Sequence, residues 1–439
     1  MTLLVISPDY ASHLLPLATL ATAWRDRGER VVVATGPATA PIVEAFGLER
    51  TDLRLGRGSN PGVVSTEAQP ADEGDSLRGF FRATREGAVA TLRYQAAERL
   101  TDLMWRPVES ARATLEIVDR VRADRVIVDH LAFSARLGLE TAGVDYGDVV
   151  LGHPTALPVG DEVYGLPPAW PRAIHPDADE LAELEELCAR VSDRFALEWN
   201  RAARALDPGA RERHDAFAGH GPLVLYNHPA ELADPGRGPL PPHRFLGSTR
   251  REEDVPDDVA RWLDDARGGF VHVSFGSFLS VRGDVLRRVA DALRSLGVRA
   301  AIATGRADPD ALGDVPGDWL VREYLPQVRL LRDAAASVTH GGNNSVSEAI
   351  GSGVPLVVLP FSTDQFAAAA SVERSGFGVA LDPNAASPGE LADAVRQVLD
   401  LPEHVRRRLS AAAAAQEAAP GPELARAALD GDLGYAAGA

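Results

Sequence analysis

Twice along the 439 residues a short apolar run is followed by turn chemistry, a helix-spaced segment and a second apolar run, and a proline-rich stretch separates the two series. Residues 3–7 open the first series as an apolar run. Ser7-Pro8-Asp9-Tyr10 supplies the turn, and Leu14, Leu17, Leu20, Ala21 and Trp24 follow at helical spacing. Gly28 closes that helix, and Val31-Val32-Val33-Ala34 reads as a buried strand. A strand that returns through a helix pairs parallel with its predecessor, so the sheet carries helices on its faces.

Residues 56–74 hold turn formers without a period and read as a surface loop; helical patterns follow over 76–105 and 108–121, then a strand over 125–129. The proline-rich segment 152–176 reads as irregular, and 223–226 as the last strand of the first series. Residues 233–242 carry four prolines and two glycines, which suits a linker. The pattern then restarts with strands at 271–275, 300–304, 336–339 and 356–359 and a helix over 285–296. The expected fold is therefore α/β, two doubly wound Rossmann-like domains facing a cleft. The boundaries read as a first domain over 1–232, a linker over 233–245 and a second domain over 246–439, with the last helix free to pack back on the first.

Charge excludes several chemistries. The net charge of −18 argues against a nucleic-acid partner, which demands clustered positive charge. All 45 basic residues are Arg, so the lysine of a P-loop and the Schiff-base lysine of pyridoxal enzymes are both missing. Cys188 is the one cysteine, which excludes an intrachain disulfide and a cysteine-rich metal site. No stretch reaches the length of an apolar membrane span, and Met1 leads straight into a strand, so the expected location is the cytoplasm.

The densest chemistry lies between residues 324 and 365. It begins Tyr324-Leu325-Pro326-Gln327 and continues Val338-Thr339-His340-Gly341-Gly342-Asn343-Asn344-Ser345-Val346-Ser347-Glu348. It ends in Gly353-Val354-Pro355, Leu359-Pro360 and Asp364-Gln365. An apolar strand delivers His340 into a glycine turn, and a helix starts at once. Backbone N–H groups, the helix dipole and side-chain donors at such a start make an anion site. Glu348 falls within the first turns, and Asp364 and Gln365 follow the next strand, at the edge where α/β folds bind ligands.

This block resembles the donor-binding signature of the family 1 glycosyltransferases, which include plant secondary-product and bacterial antibiotic enzymes. The resemblance implies the GT-B fold, with an acceptor-binding first domain and a nucleotide-sugar-binding second one. It places Tyr324 and Gln327 at the base, His340, Gly342, Asn344 and Ser345 at the diphosphate, Glu348 at the ribose, and Asp364 and Gln365 at the sugar hydroxyls. Val273-Ser274-Phe275-Gly276-Ser277 is similar to a second family segment facing the diphosphate, which adds Ser274, Gly276 and Ser277. Tyr324 and Asn343 stand where tryptophan is common in the plant enzymes, and a smaller ring can still stack.

Family members carry a Gly-His-x-x-Pro-like segment after the first strand, matched here by Ser12-His13-Leu14-Leu15-Pro16. The resemblance makes His13 the general base, suited to its task near neutral pH, and Asp129 its orienting carboxylate. In isolation a histidine at a helix start is more often a cap or a surface residue, and adjacent His130 offers a competing nitrogen. The reaction implied is inverting transfer of a sugar from a UDP- or dTDP-sugar to a hydroxyl of a small-molecule acceptor, with a natural product favoured. No metal and no cofactor are called for, the nucleotide sugar being a co-substrate, and the resemblance leaves monomer and homodimer both open.

Other readings carry less. Asp177-x-Asp179, Asp308-x-Asp310 and Asp430-x-Asp432 match the metal pair of the other major glycosyltransferase fold, but 63 acidic residues produce such pairs by chance. His153 and His175, in the proline-rich stretch, read as solvated loop histidines ahead of the alternative that they line the acceptor pocket. Absence of Gly-x-Gly-x-x-Gly after a strand, and of Gly-x-Ser-x-Gly, counts against a dehydrogenase and an α/β-hydrolase. A nucleotide-sugar epimerase on the same fold and a non-catalytic accessory protein are the rival classes.

Overall fold

The computed structural model describes residues 1–62, 71–98, 103–249, 251–265, 269–276 and 282–431. Two all-parallel sheets are present. The first has seven strands: β1 (Thr2–Ile6), β2 (Arg30–Thr35), β3 (Glu49–Asp52), β4 (Arg125–Asp129), β5 (Gly147–Val150), β6 (Leu223–Tyr226) and β7 (His243–Phe245), in the order 3-2-1-4-5-6-7. The second has six: β8 (Val271–Ser274), β9 (Ala300–Ala303), β10 (Leu320–Arg322), β11 (Ala336–Thr339), β12 (Leu356–Val358) and β13 (Gly378–Ala380), in the order 10-9-8-11-12-13. Each order reverses once, between β1 and β4 and between β8 and β11. At such a switch point adjacent crossovers leave on opposite faces and open a crevice beyond the strand ends.

The helices that position the site are α1 (Ala11–Arg25), α2 (Ala71–Glu86), α3 (Pro107–Val121), α4 (Phe133–Thr141), α5 (Ala178–Leu206), α6 (Asn343–Gly351), α7 (Gln365–Ser375) and α8 (Gly421–Asp430). Alternation along β1 explains the layering. Leu3 and Val5 pack with Leu17, Leu20 and Trp24 of α1 and with Ala425 and Ala428 of α8. Leu4 and Ile6 face Ile117 and Val121 of α3 and Leu139 of α4. The last helix thus closes the first domain's core, and Arg426 on it pairs with Glu29 at 3.0 Å. Phe80 and Phe81 of α2 join the core of the second sheet, and the Thr84 carbonyl accepts from Arg282 and Asn384.

Several sequence expectations change in detail. The helical reading over 76–105 is broken at Gly87 (φ 132°), with residues 99–102 outside the described set. The 29-residue α5 went unread because its charged outer face masks a one-sided apolar stripe of Leu184, Cys188, Val191, Phe195 and Trp199. Its Asp177 is a helix cap, accepting from the N–H groups of Asp179 and Glu180; Asp308 caps a short 3₁₀ turn, and Asp430 pairs with Arg426. Asp432 lies outside the described residues. Strand β7 falls inside the stretch read as linker and pairs with β6. Among the described residues no helix is long and apolar enough to cross a membrane.

Helices α3 and α4 touch backbone to backbone. A Cβ on Gly138 would lie 2.8 Å from the Ala111 carbonyl oxygen. Gly138→Val should cost about 1–3 kcal/mol by overpacking, read as a lower urea midpoint at unchanged slope. A second expectation concerns acid. Burial depresses His228 and His272 to about 4, the Asn343 hydrogen bond only partly opposing it for His228. Both rings are neutral in the fold, and each depressed pKa contributes stability that is complete above pH 6.5 and is lost as pH falls toward 4. The contribution is up to about 3 kcal/mol each. The melting temperature should therefore drop steeply across that window, and His272→Gln should flatten the drop.

Candidate active site

The two switch points face one another across a cavity of about 640 Å³ lined by both domains. From the first domain come Tyr10, Ser12 and His13 at the start of α1; from the second come Ser274, Gly276, Tyr324, Gln327, His340, Gly342, Asn344, Ser345 and Asp364. Most of the residues expected from sequence therefore share one crevice.

His13 lies in the first turn of α1, directly past β1, and Asp129 ends the neighbouring strand β4. Nδ1 of His13 is 2.7 Å from Oδ2 of Asp129, whose side chain is 1% exposed against 24% for His13. Oδ1 of Asp129 accepts from the Leu131 N–H at 2.8 Å, which fixes the carboxylate. An ionised carboxylate accepts, so the proton is assigned to Nδ1 and the lone pair to Nε2. Burial works against the charged ring, but the charge and hydrogen bond of Asp129, with the charge of Asp364, raise the His13 pKa above its ordinary value. His130 does not compete: its ring is buried against Asp148 at 3.0 Å, within a cluster that includes Arg136.

Pro16 has a local consequence. It lacks the N–H that would bond the Ser12 carbonyl four residues back, and that carbonyl instead accepts from Nδ2 of Asn344 at 3.0 Å. The turn carrying His13 is thus tied to the first turn of α6.

Helix α6 begins on Gly342, which has no side chain to cap its first N–H groups. His340, just before it, is wedged between two glycines. A Cβ on Gly342 would lie 2.4 Å from its Nε2, and one on Gly276 (φ +69°) 2.9 Å from its Cε1. Burial lowers His340 to about 4, the Ser274 backbone opposing this weakly, so the ring is neutral at pH 7. Ser274 ends β8, and its Oγ accepts from the Gly276 N–H at 3.3 Å. Ser277 lies outside the described residues.

The remaining expected residues are engaged differently. Tyr324 lines the cavity and is 68% exposed. Gln327 donates from Nε2 to Glu348 Oε2 at 2.6 Å and to Ser345 Oγ at 3.3 Å. Asp364 accepts from the His153 N–H at 2.5 Å, across the cleft. Gln365 folds onto its own loop, accepting from the N–H groups of Phe361 and Ser362, and neither it nor Glu348 lines the cavity.

Four contributors escaped the sequence reading. Asn343 is saturated across the domain joint: it donates to the Leu151 and Asn227 carbonyls and accepts from His228 Nδ1. His153, expected in solvent, is 4% exposed, bonds Ser371 Oγ at 3.2 Å and meets the His228 ring edge to face. Thr363 holds φ +49°, a strained value for a β-branched residue, and its N–H donates to Gln95 of the first domain. Arg251 lines the cavity and pairs with Glu348 at 2.9 Å. The signal available for Asn227-His228 and His153 was their place just after strands β6 and β5, the same rule that found Asp129. His175 is exposed, as expected.

Among the described residues no group of three or more His, Cys, Asp or Glu could hold a metal ion. Comparison with known proteins agrees with this geometry. Residues 235–415 match the family described as UDP-glucoronosyl and UDP-glucosyl transferase. The 4'-demethylrebeccamycin synthase of Lentzea aerocolonigenes is 27% identical over 91% of this chain and 92% of its own. The 2-hydroxyacylsphingosine 1-beta-galactosyltransferase of Rattus norvegicus is 33% identical over 39% of this chain and 32% of its own length. The solved glycotransferase of kitacinnamycin, 21% identical, superposes over 99% of both chains with a TM-score of 0.64. With two facing Rossmann-like domains and this signature in the second, the chain is a nucleotide-sugar-dependent glycosyltransferase of the GT-B fold acting on a small-molecule acceptor, and it resembles the family 1 enzymes of bacterial natural products.

Proposed function

We propose that the enzyme inverts configuration in a single displacement, with His13 as general base. The carrying observation is that the His13–Asp129 pair and the uncapped start of α6 open on one cavity. Nε2 of His13 takes the proton of an acceptor hydroxyl, and that oxygen forms a bond to the anomeric carbon from the face opposite the leaving group. The bond from the anomeric carbon to the diphosphate oxygen breaks, and the nucleoside diphosphate departs with the electron pair. Asp129 holds the tautomer and stabilises the imidazolium without taking the proton. N–H groups at the start of α6, with His340, Asn344 and Ser345, meet the charge that develops on the diphosphate; Ser274 and Gly276 border it.

In this reading Tyr324 and Gln327 serve the base, Glu348 the ribose and Asp364 the sugar hydroxyls. Gln365 acts on the same sugar by fixing the loop before Asp364. Residues 1–232 bind the acceptor, 233–245 join the domains and 246–439 bind the donor. The acceptor is a natural product, supported by the near full-length likeness to 4'-demethylrebeccamycin synthase and to the glycotransferase of kitacinnamycin. UDP- and dTDP-sugars are the donor classes to test, and the cytoplasm is the proposed location.

His13→Ala should lower kcat roughly 10²–10⁴-fold with donor affinity retained; full turnover by this variant would remove His13 from the mechanism. Asp129→Asn should also slow turnover, through the wrong tautomer. A chelator should leave the rate unchanged, since backbone dipoles meet the diphosphate, and a strict divalent requirement would overturn that assignment. Nucleoside diphosphate should appear only when acceptor is present, and the anomeric configuration of product, read by NMR, should be opposite to that of the donor.

A further inference from the structure

Among the described residues lining the cavity, Arg251 is the one side chain with a permanent positive charge. It stands between two carboxylates. Nη1 lies 2.9 Å from Glu348 Oε1 and Nη2 2.5 Å from Glu253 Oε1. The other oxygen of Glu253 accepts from the Val328 N–H at 2.8 Å, anchoring the group to the short helix Gln327–Leu331. The second oxygen of Glu348 is held by Gln327 at 2.6 Å. Glu348 follows Asn344 by four residues, about 6 Å further along α6 and away from its anion-binding end. The guanidinium therefore sits at the nucleoside end of the donor site, and its two ion pairs use two of its five N–H donors.

We propose that Arg251 is a nucleotide-recognition residue, which keeps Glu348 a carboxylate for the sugar hydroxyls of the nucleoside and offers its remaining N–H groups to the nucleoside's oxygens. The proposal rests on the nucleotide-binding reading of α6 and adds to it a residue outside the family signature. Two carboxylates around one guanidinium leave a net negative charge beside an anion site, an arrangement that burdens donor binding unless one carboxylate is used by the donor. The groups that bear on Glu348 agree: burial pushes it up, Arg251 and Gln327 oppose this, Glu253 adds to it, and its pKa stands above the ordinary carboxylate value. Tyr324, nearby, is raised as well and stays neutral. Without the guanidinium, Glu348 binds its proton at a still higher pH.

The test is calorimetric titration of UDP and dTDP into the full chain between pH 6 and 8.5. Wild type should bind with a nearly flat pH profile. Arg251→Ala should bind at least about tenfold more weakly, and the loss should grow as pH falls and Glu348 protonates. Arg251→Lys, the more conservative change, should restore the flat profile while recovering only part of the affinity. In a Glu348→Gln background, Arg251→Ala should cost much less than it does alone. Arg251→Ala binding like wild type at every pH, or an undiminished loss in the Glu348→Gln background, would overturn the proposal. If Arg251→Ala does not fold, wild-type affinity in Arg251→Lys would overturn it. Failure of the wild type to bind either nucleotide would instead remove the nucleotide reading itself.

Discussion

A helix that starts on glycine has no side chain with which to satisfy its own first N–H groups, and at Gly342 that deficit opens directly on the cleft. The chain is acidic and holds no lysine, so in the proposed mechanism the diphosphate meets oriented dipoles before it meets fixed cations. His340 is neutral, and Arg251 is already shared by Glu348 and Glu253. In a partly desolvated crevice such preset dipoles need no reorganisation when charge shifts onto the leaving group. Two glycines exist in support of this arrangement, since a Cβ on either Gly276 or Gly342 would strike the His340 ring.

A second missing hydrogen bond couples the domains. Pro16 leaves the Ser12 carbonyl unclaimed inside α1, and Asn344 claims it from the other side of the cleft. The proline is thus more than a helix irregularity. It converts a backbone acceptor beside His13 into a contact for the donor-binding helix. Asn343 does the same for the carbonyls of Leu151 and Asn227, and Asp364 for the N–H of His153. A buried, fully bonded amide such as Asn343 fixes relative position more sharply than apolar packing does, because each lost bond leaves a buried group unsatisfied.

The sheets were legible because parallel strands buried on both faces read as unbroken apolar runs, as in Leu3-Leu4-Val5-Ile6 and Val126-Ile127-Val128. His13 and Asp129 were legible for a related reason: each stands immediately past such a run, and a strand's end has one place to be. Helix α5 was not, since a long amphipathic helix with a densely charged face shows no continuous apolar signal. Nor was Arg251, which no local pattern marks and which reaches Glu348 from 97 residues away. The positive φ of Thr363 is likewise invisible in one dimension, its N–H being bonded by Gln95 from the other domain. Local rules locate residues held by their own strand or helix, whereas Arg251 and Thr363 depend on contacts made only after folding.

Asn344 shows how the two halves of the site are fixed together before any ligand arrives. Its Oδ1 accepts from Asn227 at 3.1 Å and one N–H of its amide is given to Ser12, so both ends of the side chain are anchored in the first domain. A carboxamide nitrogen carries two N–H groups, and the second is not consumed by Ser12. An anion at the start of α6 therefore meets an amide already oriented, and the orientational cost of that contact is met during folding instead of during binding. The same anchoring sets the distance between the α6 start and the turn bearing His13. In the proposed mechanism a change at Ser12, Pro16 or Asn227 accordingly reaches both substrates at once, although none of the three lies within the donor-binding signature of the sequence.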